Sequence, residues 1–92
     1  ADSYRVKGII ERRRKNYSDA ETFLLISLRM NASLKSTLNI AETSYELGLL
    51  NADMGNESEK TDWLQKSLDY FSEIDATEKV SLIKELLKTN LT

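Results

Sequence analysis

The 92-residue chain contains no cysteine, no histidine and no proline, and only three glycines, Gly8, Gly48 and Gly55. Without cysteine there are no disulfides, no thiolate metal sites and no cysteine nucleophile. Without histidine the commonest metal ligand and general base is missing too. Most catalytic repertoires are thereby closed, and neither an enzyme nor a cofactor or metal site is expected. So few breakers leave little to chop the chain into short strands, and long helices follow. No apolar run approaches the roughly 18 residues of a membrane span, and the N-terminus lacks the charged-then-apolar pattern of a signal peptide. A soluble, cytoplasmic protein with no membrane partner is expected. The chain starts at Ala1 and not at Met, which suggests a segment of something longer.

What is present points the same way. Apolar residues make up 40% and charged residues 30%, too apolar and aromatic a mixture for a disordered chain. Apolar and small side chains recur three and four apart, as in Phe23, Leu24, Ser27, Leu28 and again in Trp63, Leu64, Ser67, Leu68, the spacing of a helix face. The sequence predicts five helices, over 3–15, 18–32, 35–54, 57–73 and from 75–77 to the C-terminal end. Ser18 and Glu21 are spaced as a capping box. Gly55 suits the left-handed end of the third helix, and Asp75 or Thr77 is the candidate N-cap of the fifth.

Shifting the chain by 40 residues brings its halves into register. Gly8 falls on Gly48, Ile9-Ile10 on Leu49-Leu50, Phe23 on Trp63, Leu24 on Leu64, Ser27 on Ser67 and Leu28 on Leu68. Ile40 and Leu47 fall on Val80 and Leu87, so the fifth helix reads as the first half of an unfinished third unit. Small residues at Gly8, Gly48, Ser27 and Ser67 are expected where backbones come closest, with Phe23 and Trp63 filling gaps and Trp63 and Leu64 in the core.

At Leu47-Gly48, Met54-Gly55-Asn56, Trp63-Leu64, Ser67-Leu68 and Tyr70-Phe71 the chain resembles the tetratricopeptide repeat family, in its longer-period bacterial regulator and signalling form. Gly8, Ala20, Leu24 and Ser27 are the matching places of the first unit. The departures are Lys7 before Gly8, Lys60 where the first unit has Ala20, no closing proline, and a period above the usual about 34 residues. A lysine at position 60 fits if its stem lies along the seam and its charge reaches water. The resemblance implies an all-α fold of antiparallel helix hairpins stacked as a short right-handed α-solenoid of about two and a half units. Unit one spans 1–34, unit two 35–74, and a capping helix 75–92. A plain five-helix bundle with Trp63 in its core is the other all-α reading.

The resemblance also implies a concave groove lined by the first helix of each pair, with a partner peptide or helix lying in it. Carried onto this chain, the groove residues are Arg5, Ile9, Arg12 and Arg13 in the first unit and Glu42, Tyr45, Leu49, Ala52 and Asp53 in the second. A protein-interaction scaffold from a larger regulator is the expected function. A regulatory domain of an enzyme, or a module that self-associates through its terminal helices, stands beside it. The run Glu11-Arg12-Arg13-Arg14-Lys15 suits either an acidic peptide or merely the negative end of a helix dipole. Residues 1–46 hold 8 Lys/Arg against 6 Asp/Glu and residues 47–92 hold 5 against 9. With a net charge of −2 there is no basic footprint for nucleic acid. The pairs Glu57/Glu59 and Asp69/Glu73 read as solvated helix surface, since nothing completes a site around them. Asn16, Asn31, Asn56 and Asn90 are glycosylation sequons that matter only in a secretory setting.

Overall fold

A computed structural model describes residues 3–88, and these form five α-helices with no strand among them. Helix α1 covers Ser3–Arg13, α2 Tyr17–Ser33, α3 Thr37–Asp53, α4 Glu57–Glu73 and α5 Thr77–Lys88. The helical spacing of the sequence is therefore realised, and its fourth helix has the expected ends.

Three-residue turns join the helices, and all four are built alike. The middle residue of each is left-handed, with φ 67° at Lys15, 56° at Lys35, 78° at Gly55 and 55° at Asp75. The residue after it returns its N–H to a carbonyl five positions back. These bonds are Asn16 to Glu11 at 2.9 Å, Ser36 to Asn31 at 3.1 Å, Asn56 to Asn51 at 2.8 Å and Ala76 to Phe71 at 3.0 Å. This closure satisfies carbonyls that a helix end otherwise leaves unpaired. It also moves the caps. Asn16, not Ser18, is the N-cap of α2, because the left-handed Lys15 closes the turn early and leaves Ser18 inside the helix. In the last turn Asp75 is the left-handed residue and Thr77 already helical, so Ala76 takes the place expected of them.

Asn16 and Asn56 hold the same N-cap position 40 residues apart. Each side-chain amide reaches back to the preceding helix, Asn16 Nδ2 donating to Glu11 Oε1 (2.8 Å) and Asn56 Nδ2 to Asn51 Oδ1 (3.4 Å). Asn31 is fully buried and its amide donates to the Ser27 carbonyl at 2.9 Å, so a folded chain cannot carry a glycan there. Two of the sequons thus come from turn architecture and one from the core. Asn90 lies outside the described residues.

Packing follows the repeat. A Cβ on Gly8 would lie 2.6 Å from Leu24 Cδ2, and one on Gly48 2.7 Å from Leu64 Cδ2. Only glycine permits both leucines to be fully buried against the neighbouring backbone. Lys60 lies along the second seam with its stem covered and Nζ 3.6 Å from Glu57 Oε2. Neither hairpin closes its own core. One cluster joins Ala20 and Leu24 of α2 to Leu47 and Leu50 of α3, with Trp63 packed on it. The other joins Ala41, Leu64 and Phe71 to Ile83 of α5. Each fully buried leucine contributes about 1.5–3 kcal/mol. Trp63 is only half-buried, which corrects its expected place in the core, while Leu64 is fully enclosed.

Backbones approach closely between chain neighbours and, beyond those, only between α1 and α3. That last contact sets α1 beside α3, and side chains of α5 that return over Tyr45 complete the face described next.

Candidate functional site

Helices α1, α3 and α5 present side chains to one another without an even-numbered helix between them. Arg5 on α1 forms an ion pair with Glu42 on α3. About two turns further along the same face, Arg12 Nη1 lies 2.9 Å from Asp53 Oδ2. Arg5, Ile9 and Arg12 fall at i, i+4 and i+7 of α1, and Glu42, Tyr45, Leu49 and Ala52 at i, i+3, i+7 and i+10 of α3. Each set shares one helix face by that spacing. Lys79 of α5 extends the face, its Nζ 5.4 Å from the Tyr45 ring centroid, a cation–π separation.

The structure therefore brings Arg5, Arg12, Glu42, Tyr45 and Asp53 together by direct or bridging contacts. Ile9, Leu49 and Ala52 lie half-buried on the same faces, and Arg13 is exposed at the end of α1. Two participants were missed by sequence reasoning, Glu46 and Lys79. Glu46 follows Glu42 by one helical turn, a signal that was available. Lys79 has no motif around it and is found only when α5 folds back.

Glu46 is the electrostatic centre of this face. Its Oε1 is buried and has no hydrogen-bond partner. Burial raises the carboxyl above its ordinary value of 4.5, against the pull of Arg12, Arg5, Lys79 and Arg13, in that order. Burial likewise raises the Tyr45 phenol, helped by the Glu46 charge and opposed by Arg12. Arg5 and Arg12 are balanced by Glu42 and Asp53. Arg13 and Lys79 form no ion pair among the described residues, which leaves cationic groups beside an aromatic ring and a half-buried apolar strip. Such a surface can hold an extended or helical segment that brings carboxylates and some apolar area.

The features outside this face are fewer. No group of three or more carboxylates among the described residues is arranged to hold a metal ion. No described helix is long and apolar enough to cross a membrane. A separate cleft opens between α2 and α4 over α3. Compared with known proteins, the chain matches no protein-family model, no curated protein and no solved structure.

Proposed function

We propose that the five helices stack as a short right-handed solenoid of tetratricopeptide-like hairpins, and that the face of α1, α3 and α5 binds a peptide or helix of another protein. The observation that carries this reading is the convergence of three sequence-distant helices on Tyr45 and Glu46, held by Arg5–Glu42, Arg12–Asp53 and Lys79–Tyr45 contacts. Ion pairs between helices fix the face before a ligand arrives, which lowers the ordering cost of binding. The half-buried Ile9 and Leu49 supply apolar area, and Arg13 and Lys79, which form no ion pair among the described residues, favour a segment with Asp or Glu. Binding without chemistry fits a chain that has neither cysteine nor histidine.

Selection of peptides from a displayed random library tests it. Binders enriched in acidic residues are expected, with affinity lost on Tyr45→Ala or on joint Arg13→Glu and Lys79→Glu. The same binders are expected to tolerate Arg29→Glu on α2. Selection of no binder, or binders indifferent to the first three changes, would refute the reading.

A further inference from the structure

The cleft between α2 and α4 has a volume of about 490 Å³, within the usual range of small-molecule and side-chain pockets. Leu28 of α2 and Ile40 of α3 give it apolar lining, and Trp63 and Tyr70 of α4 give it aromatic lining. Asp69 and Glu73, one turn apart on α4, complete its lining with carboxylates. Like charges at that spacing repel on a helix, and neither carboxylate has an ion-pair partner among the described residues. Gln65 Nε2 donates to Asp69 Oδ1 at 3.1 Å, a neutral contact that leaves the charge in place. Within the same cleft the ammonium of Lys66 sits 4.8 Å from the Trp63 ring centroid. The ring face is thus already shown to accept a primary ammonium on an aliphatic stem.

We propose that this cleft binds a lysine side chain presented by a partner protein, its stem against Leu28 and Ile40, its ammonium between the α4 aromatics and the Asp69 and Glu73 carboxylates. The repeat supplies the control. In the first hairpin the positions of Trp63, Lys66, Asp69, Tyr70 and Glu73 are Phe23, Ile26, Arg29, Met30 and Ser33. The aromatic at Trp63 is matched by Phe23, but the architecture does not require the acids or the second aromatic, and the first hairpin has an arginine where the second has Asp69. The cleft shares no lining residue with the α1, α3 and α5 groove, so the proposal stands independently of peptide binding there.

Trp63 is the single tryptophan and reports on the cleft directly. Titration of the chain with N-acetyl-lysine N-methylamide is expected to give a saturable change in Trp63 fluorescence, with the N-acetyl-norleucine analogue giving none. Joint Asp69→Asn and Glu73→Gln should weaken the lysine probe about tenfold. Lys66→Met, which vacates the Trp63 face, should tighten it. Circular dichroism checks that each variant is folded. Equal response to the norleucine probe, or unchanged affinity in the carboxylate double variant, would overturn the proposal. Fluorescence that changes with chain concentration alone and is reversed by Arg14→Glu would put the basic turn of a second copy in the cleft, and would overturn it in favour of self-association.

Discussion

The two seams at which one hairpin meets the next helix share a frame and differ in chemistry. Between α2 and α3 the seam adds a buried polar stretch to the Ala20, Leu24, Leu47 and Leu50 cluster: Ser27, Asn31 and Thr43 are fully buried. Ser27 Oγ and Thr43 Oγ1 lie 3.1 Å apart, and Asn31 Nδ2 donates to Ser27 Oγ at 3.2 Å. Between α4 and α5, 40 residues on, Phe71 stands at the position of Asn31 and Ile83 at that of Thr43, both buried. Ser67 there turns its hydroxyl to the Ala41 carbonyl of α3, at 2.8 Å. The repeat preserves where helices cross and not what fills the crossing. Helix α3 is gripped by α1, α2 and α4, so it tolerates a hydrogen-bonded seam. Helix α5 has close backbone contact with α4 alone, and its attachment rests on apolar area. At the register position of Gly8 and Gly48 it carries an exposed Lys88, so a helix pressed on α5 as α4 is pressed on α3 would collide with that side chain.

The largest expected effect lies in the apolar seam. Phe71→Ala should cost about 3–5 kcal/mol in urea denaturation, as large-to-small core changes do, whereas Asn31→Ala at the matching position should cost under about 2 kcal/mol. Equal losses would break the contrast between the seams. Next come the close approaches, which are the same in both hairpins. Gly8→Ala and Gly48→Ala should each destabilise by about 1–3 kcal/mol through the clash with Leu24 or Leu64, and the two values should agree. A loss at one glycine alone would show that the repeat is not structurally equivalent.

A double-mutant cycle sharpens the contrast further. Ser27→Ala with Thr43→Val should reveal a coupling of about 1 kcal/mol, from a hydroxyl pair that either loses one partner or both. Ser67→Ala with Ile83→Val should show none. The smallest effect concerns the groove. Burial holds Glu46 above its ordinary 4.5, so the folded chain binds that proton more tightly than the unfolded one. Stability from this group is full below 4.5 and is lost as pH rises through the raised value. Glu46→Gln should therefore melt at a higher temperature than the parent at neutral pH, and the gap should close as pH falls below 4.5. A lower melting temperature at neutral pH would mean that the surrounding arginines and Lys79 outweigh burial.

Much of this architecture was legible because it rests on local spacing. The i, i+3, i+4 pattern places all five helices, and the Gly8/Gly48 and Leu24/Leu64 matches identify the contacts at which helices come closest. The turns were placed by the helix bounds, but their left-handed residue was legible only at Gly55, since Lys15 and Lys35 adopt that conformation against their own preference and Asp75, which tolerates it, reads as an N-cap. Trp63 looked like core because its spacing is helical and apolar, but spacing cannot say how deep a half-buried ring sits. The Arg5–Glu42 and Arg12–Asp53 pairs join residues named for one face without foreknowledge of partners. The Glu46 and Lys79 contribution was hidden because it depends on where α5 returns, a fact of tertiary packing.

The most direct test is chemical-shift mapping of the isotope-labelled chain with an acidic peptide chosen by library selection. Peptide binding at the face of the odd-numbered helices predicts amide perturbations centred on Arg12, Arg13, Tyr45, Glu46, Leu49 and Lys79, with α2 unaffected along Leu25 and Arg29. Perturbations centred on α2 and the outer stripe of α4, with α1, α3 and α5 silent, would contradict it.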